Sequence, residues 1–182
     1  MTAPEQPPRD DVGELPDGVE REVALAPLTT VRTGGAARFF ARPESAAALV
    51  ELLAWARERQ VPIAVIGSGS NLLVADAGFE GLALKLAGSL TGIERDGERV
   101  TCGGGMRLPS AAAKTAGWGL AGLEFGVNIP GTVGGSVRMN ANAYGGQLSR
   151  ALEWVEICTP DGPVRRRPEQ LGFTYRDSAL AA

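Results

Sequence analysis

An α+β fold in two lobes is what this sequence predicts, and three observations carry the prediction. A strand–helix–strand pattern runs from about residue 36 to residue 66, two hairpin signals follow it, and glycine-rich loops separate the segments. Glycine contributes 25 of the 182 residues, about 14% against a usual value of roughly 7%. These glycines cluster at 67–69, 103–105, 117–135 and 145–146 without a collagen-like period, which points to tight loops in a folded chain.

Residues 1–22 open the chain with proline and acidic residues and no apolar core segment, so they read as a disordered lead-in with folding beginning at Val23. Residues 23–90 form the smaller α/β lobe. A turn at Gly34-Gly35 precedes a strand ending at Ala41. Ser45 then caps a helix whose apolar residues Ala46, Leu49, Val50 and Leu53 recur at helical spacing, and Pro62 follows its end. The apolar run 62–66 reads as a short buried strand, and LALKL at 82–86 as another. Residues 91–182 form the second, α+β lobe. It contains a hairpin around Asp96-Gly97, a short helix opened by Pro109 and closed by Gly117, and a second hairpin turning at Pro160-Asp161-Gly162. Two lobes with glycine loops between them make a cleft, a usual place for a cofactor.

Composition removes several function classes. A net charge of −3 and a pI near 5.1 argue against a dedicated nucleic-acid binder. The absence of histidine excludes Ser-His-Asp and Cys-His nucleophile chemistry and the common zinc sites, so no metal is expected. Cys102 and Cys158 lie in strand-like runs and read as small buried apolar residues. No stretch is long and apolar enough for a membrane span and the N-terminus lacks signal-peptide character, so the expectation is a cytoplasmic protein without membrane insertion.

The loop Gly67-Ser68-Gly69-Ser70-Asn71 follows directly on the strand at 62–66. It is no P-loop, because Asn71-Leu72 stands where Lys-Ser/Thr would, with no lysine near in sequence. It is no dinucleotide fingerprint either, since the third glycine and the helix after it are missing. Its glycines still let consecutive N–H groups share one concavity, with serine hydroxyls and an asparagine amide beside them. A pyrophosphate nest and a plain connecting loop are both compatible with that. A second loop, Ile129-Pro130-Gly131-Thr132-Val133-Gly134-Gly135, has too many glycines for a core element and too few charges for a linker, with Asn140, Asn142 and Tyr144 nearby.

Taken together, GSGSNLLVADAGFEG, GLEFGVNIPGTVGGSVRMNANAYGG and YRDS, with TTVRTGGAARFFARPES before them, resemble the UDP-N-acetylenolpyruvoylglucosamine reductase family over residues 23–178. The resemblance implies a two-lobed FAD-binding domain of the vanillyl-alcohol-oxidase (PCMH) type. It implies that Gly67, Ser68, Gly69, Ser70, Asn71 and Leu72 cradle the FAD pyrophosphate. Ile129, Pro130, Gly131, Thr132, Gly134, Gly135 and Asn140 would line the flavin side. Two departures stand out: Gly126-Val127-Asn128 replaces a common Leu-Ala-Gly, and Asn142 stands where glycine is usual. Asparagine tolerates a positive φ better than most residues, so the backbone shape is expected to survive.

In the resembled reaction NADPH reduces FAD and the enolpyruvyl double bond of a UDP-sugar is then reduced, giving the peptidoglycan precursor UDP-N-acetylmuramate. Arg176 matches the family's catalytic arginine and Tyr175 would sit beside the substrate. A planar, permanently charged guanidinium suits the enolate-like charge on the substrate carboxylate. The family's serine proton donor and its glutamate belong to a third, substrate-binding domain that would follow YRDS. Ser178 is not that serine. The chain therefore reads as a reductase truncated before its C-terminal domain and inactive alone, with a non-catalytic FAD- or nucleotide-binding module as the alternative. Other flavin oxidases of the superfamily are disfavoured by the lack of histidine. Arg165-Arg166-Arg167 reads as a solvent-facing hairpin strand, with an NADPH or UDP phosphate contact as its other reading.

Overall fold

The computed structural model describes residues 12–181. Its first half is a four-stranded mixed sheet built from β1 (Val19–Ala24), β2 (Ala36–Ala41), β3 (Ile63–Val65) and β4 (Phe79–Leu84), in the order β1-β2-β4-β3. β2, β4 and β3 run parallel, while β1 joins β2 antiparallel. Helix α1 (Ala46–Glu58) links β2 to β3, and the Ser45 side chain accepts from the Ala48 N–H at its start, as the sequence predicts.

One face of the sheet packs Phe39, Leu82 and Leu84 against Leu49, Leu52 and Trp55 of α1, with Phe39 and Trp55 edge to face at 5.5 Å. The other face packs Phe40, Ala83 and Ile66 under Leu25, Leu72 and Val74. Alternate residues of one strand thus serve opposite cores. Each large side chain buried this way contributes about 1.5–3 kcal/mol.

Three expectations need correction. β1 takes in Val19–Glu22, which the sequence assigned to a disordered lead-in, and Val12 is buried in the first core with its carbonyl accepting from Arg59 Nε at 2.7 Å. β1 is mostly exposed, so the ladder to β2 holds it and its polar composition is no obstacle. Residues 1–11 of that lead-in lie outside the described residues. β3 is not buried: Ile63 and Val65 are 39% and 63% exposed, because β4 inserts between β2 and β3 and leaves β3 at the sheet edge. β4 also begins at Phe79 rather than Leu82.

The second half is organised around short elements. β5 (Ile93–Asp96) and β6 (Arg99–Cys102) form the first hairpin, with Gly97-Glu98 at its tip, one residue on from the expected turn. α2 (Leu108–Gly117) packs on a 3-10 segment, Glu124–Asn128. α3 (Val133–Arg138) leads to a hairpin of β7 (Asn142–Ala143) and β8 (Gly146–Gln147). Phe125, Val137 and Leu148 centre a third core here.

The last hairpin, β9 (Val155–Thr159) with β10 (Gly162–Arg166), bridges the halves, since Val155 packs against the third core while the rest reaches the first half. It packs on α1, Cys158 touches the first core, and Arg57 pairs with Asp161 at 2.8 Å. The expected division at residues 90/91 is therefore crossed by this hairpin. Cys158 and Cys102 are half-buried free thiols, and burial pushes both up from the usual thiol range, with Glu156 adding to the effect at Cys158. No helix among the described residues is long and apolar enough to cross a membrane.

Candidate functional site

The carboxyl ends of the three parallel strands lie level with one another, since Ala41 and Val65 both pair with Leu84. The chain continues from them as Arg42, Lys85 and the loop beginning at Gly67. Ligands of open α/β sheets bind outside the carboxyl ends of parallel strands, so this edge is the place to look. None of the backbone N–H groups from Gly67 to Asn71 donates a hydrogen bond among the described residues. Buried or half-buried N–H groups, as at Gly67, Ser68 and Gly69, are almost always paired, so unspent donors there are capacity for an acceptor-rich ligand.

The loop is held from outside. Its Gly69 carbonyl accepts from the Thr30 N–H at 3.0 Å, and Gly69 sits at φ +74 where a Cβ would lie 2.0 Å from the Leu28 carbonyl oxygen. The Ser68 and Ser70 hydroxyls lie 3.0 Å apart, and Ser70 Oγ donates a short hydrogen bond to the Pro130 carbonyl. A Cβ at Gly67 would meet Thr132 Oγ1 at 2.8 Å. The two glycine loops that the sequence keeps some sixty residues apart are therefore in contact. Asn71 is exposed beside them. Leu72, expected at the cofactor, instead packs its side chain into the second core.

In the second loop the parts divide. Gly131 has an open face, where an added Cβ would meet only Ser136 Oγ at 3.7 Å. Among the described residues the N–H groups of Gly131 and Thr132 donate to no partner. Thr132 is buried, caps α3 by accepting from the Gly135 N–H, and forms a bridge with Arg107. The Val133 N–H donates to the Met106 carbonyl and the Gly134 N–H to the Gly104 carbonyl. A Cβ on Gly134 would stand 2.9 Å from that Gly104 oxygen, so this glycine serves packing against residues 103–106. Ile129 packs its side chain into the third core.

Asn140 is a further correction. Expected to line the flavin, it is fully buried at φ +41, its Nδ2 donating to the Thr174 carbonyl at 2.8 Å and its Oδ1 accepting from the Ser149 N–H at 3.2 Å. Both ends of the amide are bonded inside the protein, and the side chain is fully buried. Its place is structural, for Thr174 begins the turn that carries Tyr175 and Arg176. Asn142 lies in β7 and does not take the positive φ there; Asn140 and Tyr144 do.

Thr174 and Asp177 bridge across that turn, and Ser178 Oγ donates to the Arg138 carbonyl at the end of α3. α3 is about 9 Å long at 1.5 Å per residue, so the Arg176 turn is anchored one short helix away from Gly131 and Thr132. Arg176 is exposed at φ +55, and its guanidinium has no partner among the described residues. A non-glycine residue held in this region costs on the order of 1–3 kcal/mol, which surrounding contacts must offset. Tyr175, 78% exposed, faces Tyr144 across an open groove of about 390 Å³ lined also by Asn142, Gly145 and Gln147. The basic run is accounted for in part: Arg165 pairs with Glu156 and stacks 4.2 Å over the Trp154 ring.

Lys85 is the residue the sequence reading missed. Its Nζ donates to the Gly67 carbonyl at 2.7 Å, and its pKa is lowered by burial first and by Arg42 second. It lies outside the loop in sequence but immediately after β4, and a basic residue closing a parallel strand was the available signal.

Comparison with known proteins shows the family. Residues 37–167 match the FAD binding domain family. The UDP-N-acetylenolpyruvoylglucosamine reductase of Rubrobacter xylanophilus is 45% identical over 156 residues, 86% of this chain and 52% of the relative. The crystal structure of a UDP-N-acetylenolpyruvylglucosamine reductase from Thermus caldophilus superposes with a TM-score of 0.75 at 38% identity, covering 88% of this chain and 56% of that one. A cholesterol oxidase from Brevibacterium sterolicum shares the fold at a TM-score of 0.60 and 17% identity, covering 88% of this chain and 34% of its own. The chain spans about half the length of the curated relatives it matches.

Proposed function

Because the chain belongs to the FAD-binding domain family and its curated relatives are UDP-N-acetylenolpyruvoylglucosamine reductases, we propose that it is the FAD-binding part of such a reductase, acting in the cytoplasm in peptidoglycan precursor synthesis. The observation that carries this is the run of unspent N–H groups from Gly67 to Asn71, in contact with the open face of the second glycine loop. FAD fits these residues: a pyrophosphate needs donors without bulk, and the loop supplies amides and two hydroxyls where a side chain at Gly67 or Gly69 would collide with protein.

Bound FAD supplies two-electron redox chemistry, with NADPH as the electron source and an enolpyruvyl UDP-sugar as the substrate. The chain's own residues divide the remaining work. Gly67, Ser68, Gly69, Ser70 and Asn71 hold the pyrophosphate, and Gly131 with Thr132 offers backbone amides on the flavin side. Arg176 places a guanidinium against the substrate carboxylate, where two parallel N–H donors stabilise the negative charge that develops during reduction. Tyr175 lies beside it and packs on the substrate.

The test uses a protein that carries this chain together with the C-terminal part its relatives have, loaded with FAD and given NADPH, then the enolpyruvyl sugar. Loss of flavin colour followed by its substrate-dependent return is expected, and Arg176→Ala should slow the return while leaving FAD affinity intact. A colour return unaffected by Arg176→Ala removes that assignment. A second reading, a flavin-binding unit without catalysis of its own, rests on the match of residues 37–167 to the FAD binding domain family. FAD retained with no response to NADPH and sugar would favour it.

A further inference from the structure

We propose that Lys85 is a positioning residue for the pyrophosphate loop and the counter-charge of the anion bound there; this rests on the FAD reading above.

Lys85 follows the last residue of β4, its backbone N–H donating to the Ala41 carbonyl, so it is fixed at the carboxyl edge of the parallel strands between Arg42 and Gly67. From there Nζ donates to the Gly67 carbonyl at 2.7 Å and pins the first residue of the loop. Holding that carbonyl fixes the peptide that carries the Ser68 N–H, one of the unspent amides.

Its charge is uncompensated. Among the described residues no carboxylate pairs with Lys85, and the charge that shifts it is another cation, Arg42, whose guanidinium lies 5.2 Å from the Phe40 ring centroid. Half-buried cations are ordinarily paired, because desolvation without an opposite charge is costly. A half-buried cation beside an amide-lined loop, repelled by a second cation, is an arrangement that a bound dianion relieves. Burial and Arg42 both disfavour protonated Lys85, and an anion on the loop opposes both effects. Pyrophosphate is the part of FAD with that charge.

The experiment measures FAD binding to the full chain by flavin fluorescence at several salt concentrations, for the parent, Lys85→Met, Lys85→Gln and Lys85→Arg. The neutral variants should bind FAD about tenfold to a hundredfold more weakly, the loss expected for a hydrogen-bonded charge. Their affinities should also fall less steeply with salt than the parent's, and Lys85→Arg should keep the parent's salt dependence. A purely structural lysine would instead lower the melting temperature of the FAD-free protein and leave the salt dependence unchanged. Two neutral variants that bind within about twofold of the parent, or that keep its salt dependence, overturn the Lys85 assignment alone. A parent chain that does not bind FAD overturns the cofactor reading and this inference with it.

Discussion

From Gly67 to Asn71 no backbone N–H donates within the described protein, whereas in the second glycine loop those of Ile129, Val133, Gly134 and Gly135 are already bonded. Both stretches look alike as sequence, rich in glycine with few charges. In the first, the fold supports the loop through carbonyls and side chains (Gly67 to Lys85, Gly69 to Thr30, Ser70 to Pro130) and leaves its donors free. In the second, the Val133 and Gly134 N–H groups dock the loop onto residues 104–106, those of Ile129 and Gly135 bond locally, and only the stretch at Gly131 and Thr132 remains open. Glycine content therefore marks close approach, but the hydrogen-bond account decides whether the approach is to a ligand or to the protein itself.

Three substitutions press on this contrast. Gly69→Val should have the largest effect, since a β-branched side chain at φ +74 would also collide with the Leu28 carbonyl. A loss of about 3–5 kcal/mol of stability is expected, read by denaturant unfolding, together with loss of FAD binding. A variant as stable as the parent would mean the loop is not held in this conformation. Gly134→Ala comes next, pushing a methyl group against the Gly104 carbonyl at a cost of about 1–3 kcal/mol. FAD saturation should recover its affinity once the protein is folded; an affinity loss with no stability loss would place Gly134 at the cofactor instead. Gly131→Ala should be the mildest for the fold, within about 0.5 kcal/mol, because its added methyl group meets open space. Its effect should appear in FAD affinity, weakened several-fold, and unchanged affinity would remove Gly131 from the flavin side.

Much of the framework was readable from local patterns. Ser45 caps α1, Gly97 turns the first hairpin at φ +59, and the 155–166 hairpin follows its turn residues, because capping and turn geometry depend on a few neighbouring residues. The errors share a different origin. β3 looked buried because its residues are apolar, yet its exposure follows from β4 taking the central place. Asn140 looked like a ligand contact because it lies among polar and glycine residues, yet its amide joins Ser149 to Thr174 across the core.

By itself, then, the sequence determined the element types, the two glycine loops as places of close backbone approach, and Arg176 as a charged group in a recognisable motif. Only the tertiary structure decided which loop keeps its donors free and that Ser70 joins the two loops. It also decided that Lys85 reaches the Gly67 carbonyl from a neighbouring strand. Composition and spacing constrain what a residue can do with its neighbours in the chain. Strand order and loop contact choose its partners in space, and a hydrogen bond or a compensating charge exists only once those partners have been brought together.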